Sequence, residues 1–154
     1  MLHILGIRCE LSGDEFSAGS LLVSNHVSWA DICLIGSAFP VTFLAGSKIG
    51  KWPVLGWLMN KAGTLFIDRG RGAERASREV ANLLATGNSV AIFPEGRTSD
   101  GKSVGKFHAR LYQAATAANK NVQAVGIRYE DKLGNRVADV RWIVQPYVCN
   151  FGLV

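Results

Sequence analysis

Cysteine, proline and methionine are scarce in this sequence, at three, four and two among 154 residues. Cys9, Cys33 and Cys149 are odd in number, far apart and without a C-x-x-C pair, which argues against a disulfide framework or a zinc site. A reducing cytosol is the expected setting, with each thiol a small core residue. No apolar run is long enough to cross a bilayer: residues 32–47 carry no charge, but the stretch is short and Pro40, Gly36 and Gly46 interrupt it. The opening Met1–Arg8 lacks the apolar length and small-residue cleavage site of a secretory leader. Low-complexity segments, internal repeats and linkers are also missing, so a single domain over 1–154 is expected.

What is present is a 48% hydrophobic composition, enough for a compact core, and a net charge of +5 with a pI near 9.4. Such a basic balance favours anionic partners: phosphate-bearing substrates, lipid headgroups or nucleic acid. No RNA- or DNA-binding signature accompanies it, so nucleic acid is not an expected partner.

Apolar blocks alternate with helical stretches, which predicts an α/β fold, a mixed sheet flanked by helices. Strands are expected over 4–11, 20–24, 41–44, 64–68, 89–93, 122–129 and 137–144, and helices over 29–37, 54–61, 73–85 and 107–118. Ala76, Val80, Leu83 and Leu84 make one stripe of the third helix, with Gly87 at its stop. Leu133-Gly134-Asn135-Arg136 signals a closing hairpin.

Lys51-Trp52-Pro53-Val54-Leu55-Gly56-Trp57-Leu58-Met59 crowds two indoles, aliphatic side chains and a cation together, with Lys48 and Lys61 nearby. This mixture suits the interfacial layer of a membrane. It equally fits a core helix entered through a proline in its first turn.

The chemistry begins at Ser24-Asn25-His26-Val27-Ser28-Trp29-Ala30-Asp31. Residues five apart on a continuous helix stand about 140° and about 7.5 Å out of step, so His26 and Asp31 meet only if the backbone changes type between them. Ser28-Trp29-Ala30-Asp31 supplies that change, since it reads as an S-x-x-D capping box with Ser28 as N-cap. His26 then lies outside the helix and Asp31 in its first turn. There a neutral imidazole can take a proton from a hydroxyl while the carboxylate fixes its tautomer. A plain cap at Asp31 and a loop histidine bonded to backbone remains the alternative.

Two further turns follow buried strands, where α/β sheets bind ligands. Phe93-Pro94-Glu95-Gly96-Arg97-Thr98-Ser99 offers a guanidinium and hydroxyls beside a glycine that allows close backbone approach. Gly63-Thr64-Leu65-Phe66-Ile67 runs into Asp68-Arg69-Gly70-Arg71-Gly72, with two guanidiniums ahead of a helix N-terminus, a setting that favours an anion. Gly70 and Gly72 lack the third glycine of a dinucleotide loop.

In these motifs the chain resembles the glycerolipid acyltransferase family, which includes the 1-acylglycerol-3-phosphate acyltransferases. Asn25-His26 with Asp31 matches N-H-x4-D, Gly63 to Arg69 matches G-x-x-F-I-x-R, Phe93 to Gly96 matches F-P-E-G, and Val122 to Ile127 matches a later apolar strand. Arg97 and Thr98 stand in the reverse of the family's usual order, and the last block lacks its usual proline.

The resemblance implies acyl transfer from coenzyme A or acyl carrier protein to the hydroxyl of a lysophospholipid, 1-acylglycerol-3-phosphate above all, with lyso-ornithine lipid another acceptor. It implies His26 as general base, Asp31 as its orienting partner, Arg69 and Arg97 as phosphate ligands, and Glu95, Gly96 and Thr98 around the acceptor. No metal and no cofactor beyond the thioester is implied. It further implies work at the cytoplasmic face of a membrane, peripherally or through an anchoring segment, and a domain incomplete at both termini. A non-catalytic basic membrane-surface module and an inactive fragment are the other readings open on the sequence.

Overall fold

The computed structural model describes residues 7–47, 49–53, 55–61, 63–67, 73–108, 112–131, 133 and 147–153. Strands β1 (Ile7–Gly13), β2 (Leu21–Ser24), β3 (Val41–Gly46), β4 (Leu65–Ile67), β5 (Ser89–Ile92), β6 (Val122–Glu130) and β7 (Tyr147–Leu153) form one sheet in the order β1-β7-β6-β2-β5-β3-β4. Pairing is parallel throughout except between β6 and β7. Helices α1 (Ala30–Ala38), α2 (Leu55–Lys61), α3 (Ala73–Ala85) and α4 (Gln113–Ala118) complete the described elements, with a 3-10 turn at Ile49–Lys51. This is the α/β mixed sheet flanked by helices that the alternation of apolar blocks predicts.

The centre of the sheet is apolar on both faces, as parallel strands require. Leu21, Val23, Val90 and Ile92 pack with Val80 and Leu84 of α3 and with Ala114 and Ala115 of α4. The intervening residues Leu22 and Ala91 point the other way, to Leu34 and Ile35 of α1, Phe43, and Val125, Ile127 and Tyr129 of β6. Alternation along each strand thus fixes register: a one-residue slip would exchange the two cores.

The α3 stripe ends as expected. Gly87 has φ 85°, its N–H reaches the Leu84 carbonyl and the Asn88 N–H reaches Leu83, the paired bonds of a Schellman cap. Asn119, with φ 51°, closes α4 in the same way, since asparagine tolerates the left-handed region better than most side chains.

What positions a site is the pair of connections leaving β2 and β5. The chain leaves β2 through α1 on one face to reach β3 beyond β5, whereas it leaves β5 through α4 on the other face to reach β6 beyond β2. The carboxyl ends of these neighbouring strands therefore diverge, opening the crevice in which α/β sheets hold ligands.

Several expectations need correction. The helix expected over 107–118 is only α4, because Phe107 and His108 belong to an irregular segment, with the His108 N–H on the Pro94 carbonyl. Residues 137–144 and 134–136, expected as a strand and a hairpin turn, lie outside the described residues, as do 4–6. The strand β7 has no counterpart in the sequence reading. Cys9 is exposed on β1 and so is no core residue. Cys33 is half-buried, its thiol pKa pushed up first by burial and then by the negative charge of Asp31, which keeps it protonated. No helix among the described residues is long and apolar enough to cross a membrane.

Candidate active site

Where β2 ends, a side chain takes over the ladder. Asn25 Oδ1 accepts the Ile127 N–H at 2.7 Å and Asn25 Nδ2 donates to the Ile127 carbonyl at 2.9 Å, tying the strand end to β6. The next residue, His26, is held through its backbone by the loop after β5. Its N–H donates to Glu95 Oε1 at 3.0 Å, and its carbonyl accepts the Ser99 N–H at 2.8 Å. Main-chain geometry is thus fixed on both sides, leaving the ring to be aimed by two contacts.

One is a stack on Phe93, with ring centroids 4.0 Å apart and planes inclined by 18°. The other is a hydrogen bond between Nδ1 and Asp31 Oδ2 at 2.8 Å. The imidazole is 15% exposed while the carboxylate is wholly buried. Nε2 makes no hydrogen bond among the described residues, so it is the ring atom left for a ligand.

Asp31 is surrounded by donors. Besides the imidazole, Oδ2 accepts the N–H groups of Val27 at 2.7 Å and Ser28 at 2.9 Å, and Oδ1 accepts the Tyr129 hydroxyl at 2.6 Å. The Asp31 to Ser28 N–H bond is the carboxylate half of the expected capping box; Ser28 Oγ accepts the Ala30 N–H at 3.3 Å rather than the Asp31 N–H, which goes to the Ser28 carbonyl. Helix assignment begins at Ala30, but Trp29 already has helical angles, a boundary difference of one residue. Capping and imidazole binding are therefore not rival readings: one carboxylate does both. Because all its neighbours donate, Nδ1 carries the proton and Nε2 presents a lone pair.

The remaining sequence candidates divide. Glu95 is buried, and its two oxygens are taken by backbone N–H groups, of His26 and, at 2.8 Å, of Gly105. A Cβ at residue 105 would come within 2.7 Å of Glu95 Oε2, so glycine lets the loop close on the carboxylate. Glu95 thus braces the histidine loop from behind. Gly96 turns the chain at φ 69°, and Gly96, Arg97 and Thr98 are exposed on the same edge of the sheet. Arg69 lies outside the described residues, beyond β4, whose carboxyl end points to that edge. Tyr129 is the residue sequence reasoning missed. Its only signal was a polar tip among the inward residues Val125 and Ile127, a pattern that asks where the hydroxyl finds a partner.

Among the described residues, no cluster of His, Cys, Asp and Glu could hold a metal ion. The chemistry of this arrangement is that of an oriented base at a strand-end crevice.

Comparison with known proteins gives a consistent result. Residues 8–128 match the family described as Acyltransferase. The chain is 44% identical over 126 residues to a lyso-ornithine lipid O-acyltransferase of Pseudomonas aeruginosa, covering 81% of this chain and 49% of that protein. It is 40% identical over 136 residues to a 1-acyl-sn-glycerol-3-phosphate acyltransferase of Neisseria gonorrhoeae, covering 87% and 53%. It therefore spans about half the length of these curated relatives. The crystal structure of the 1-acyl-sn-glycerophosphate acyltransferase of Thermotoga maritima shares the fold, with a TM-score of 0.73 at 23% identity over 99% of this chain and 62% of that one. With a family match that takes in β2, the histidine loop and β5, this chain belongs to the Acyltransferase family.

Proposed function

We propose that the protein transfers a fatty acyl group from an acyl thioester, on coenzyme A or acyl carrier protein, to the hydroxyl of a lysophospholipid, 1-acylglycerol-3-phosphate above all. The observation that carries this reading is the Nδ1 to Oδ2 bond of 2.8 Å, which leaves Nε2 free at the divergent strand ends. His26 Nε2 removes the acceptor hydroxyl proton as the oxygen attacks the thioester carbonyl. Asp31 holds the ring and stabilises the imidazolium, following triad logic without a protein nucleophile. The tetrahedral intermediate expels the thiolate, and the imidazolium returns its proton to the sulfur. The ester is thus formed without an acyl-enzyme.

Arg69 and Arg97 bind the acceptor phosphate as bidentate donors, with Gly96 and Thr98 beside them and Glu95 acting through the His26 backbone. The reaction is placed at the cytoplasmic face of the membrane, where a lysolipid acceptor and a soluble thioester can meet. Lyso-ornithine lipid is the second acceptor class, favoured by the name of the relative at 44% identity. A thioester-consumption assay over a panel of lysolipids, with the product identified by mass spectrometry, tests the reading. Turnover with none of them would overturn it.

Two substitutions probe the assigned roles. Arg69→Ala is expected chiefly to raise KM for a phosphorylated acceptor, leaving kcat near its original value; unchanged kinetics would remove Arg69 from the site. Tyr129→Phe keeps the buried ring but deletes the hydroxyl on Asp31 Oδ1. A hydrogen bond to a charged group is worth about 1.5–3 kcal/mol, so kcat should fall by roughly tenfold to a hundredfold with KM little changed. A KM effect alone would show that Tyr129 does not act through the histidine.

A further inference from the structure

A single hydrogen bond fixes a point and not a plane. The contact between Nδ1 and Asp31 Oδ2 anchors one corner of the His26 ring, but the last torsion of a histidine is broad, and its value decides where Nε2 lies. The face of Phe93 removes that freedom, since its ring centroid lies 4.0 Å from that of the imidazole with the planes inclined by only 18°.

Phe93 is held in turn. It is the first residue after β5, half-buried against the core that contains Phe43. Phe43, on β3, is 2% exposed and nearly parallel to Phe93, with centroids 6.4 Å apart and planes inclined by 11°. A Cβ at Gly36 of α1 would come within 3.2 Å of Phe43 Cε2, so α1 closes directly on that ring. The helix that presents Asp31 to the edge of the imidazole therefore also backs, through Phe43 and Phe93, the surface on which its face rests.

Packing alone would make these rings ordinary core, but in the first pair one partner changes charge. In the proposed acyl transfer, on which this inference rests, Nε2 takes the acceptor's hydroxyl proton and the neutral imidazole becomes a cation until the departing sulfur recovers that proton. The negative face of a benzene ring attracts a cation within about 6 Å of its centroid, and gains far less from the neutral ring that stood there before. An interaction that strengthens only as the charge appears speeds the chemical step rather than tightening substrate binding. Burial favours it further: the Asp31 carboxylate is wholly buried and the imidazole only 15% exposed, so little water screens the ring face. We infer that Phe93 is a positioning residue of the reaction that acts through His26, stabilising the imidazolium on its ring face.

Phe93→Leu keeps an apolar side chain of similar bulk but removes that face. The kcat should fall by about threefold to thirtyfold with KM for acceptor and thioester little changed, and Phe93→Tyr should retain most of the parent's kcat. Because leucine also alters the packing, the decisive series places phenylalanine with one, two or three ring fluorines at residue 93, which drains charge from the face and nearly keeps the shape. Each added fluorine should lower kcat while thermal melting stays close to the parent's, a graded response that a merely structural ring would not give. Without substrate, the same series should show His26 holding less proton at one fixed, mildly acidic pH, read by NMR from its carbon-bound ring protons. A kcat and a proton occupancy that are flat across the fluorinated series would overturn the inference, as would a Phe93→Leu effect confined to KM. The two readings fail separately. A parent that transfers to no lysolipid yet keeps the fluorine trend in proton occupancy would sink the catalytic reading alone, and an active parent with no trend would sink this inference alone.

Discussion

Purified His26→Ala protein is expected to lose acyl transfer by about a thousandfold, within the range that a positioned general base contributes, while keeping its fold. The substitution removes the Nε2 lone pair that the Asp31 bond to Nδ1 leaves available. Losing the ring costs little structurally, because Asp31 keeps three of its four donors and the lost ring was partly exposed. Circular dichroism and thermal melting should remain close to those of the parent. An active His26→Ala protein of intact fold would refute the assigned role.

Asp31→Ala is expected to have the largest effect on stability. The carboxylate is wholly buried and accepts from Val27 N–H, Ser28 N–H, the Tyr129 hydroxyl and the His26 ring. Deleting it leaves buried donors without acceptors, each costing about 1–3 kcal/mol, and removes a helix cap worth about 1 kcal/mol. A loss of about 3–6 kcal/mol is expected, or roughly 10–20 °C in Tm for a chain of this size. Asp31→Asn separates chemistry from fold. Its amide oxygen can serve the two backbone donors, and the Tyr129 hydroxyl can rotate to accept from the amide nitrogen. That variant should melt closer to the parent yet remain nearly inactive, since no anionic partner steadies the imidazolium. Equal melting of Asp31→Ala and parent would show that the carboxylate carries no structural burden.

The parts of this site that sequence reveals are those set by short-range backbone chemistry. The change from loop to helix at Ser28 is written in the capping box, and it alone brings residues 26 and 31 together. Glu95 illustrates the boundary: its motif is recognisable, but its partners, the N–H groups of His26 and Gly105, come from a loop closure that no local pattern encodes. Tyr129 is further out of reach, because the register of β6 against β2 decides which buried residue faces Asp31. Asn25 is legible as a motif member, yet its pairing with Ile127 likewise appears only once β6 is in place.

The fold shows the same division. Runs such as Leu21-Leu22-Val23 and Val90-Ala91-Ile92 declare buried parallel strands, whereas the order in which they neighbour one another depends on crossovers. The segment around Phe107 misled because Phe107 and Tyr112 pack against the core, as residues of a buried helix would, although Phe107 lies outside α4. The tryptophans of residues 51–59 left two readings open on composition, and the close approach of Gly56 to Gly50 decides which side chains turn outward.

One consequence of the sheet order concerns how the molecule comes to be folded. β1 and β7 lie side by side in parallel although they are drawn from far apart in the sequence, with Ile7 opposite Tyr147. Closing so long a loop is entropically dear and is rewarded only after the intervening chain has condensed. The block from β2 to β6 can therefore assemble first and offer β6 as a template, with the outer two strands zipping on last. Amide protons of β1 and β7 would then open to solvent by partial unfolding, well below the free energy at which the strands flanking His26 let go.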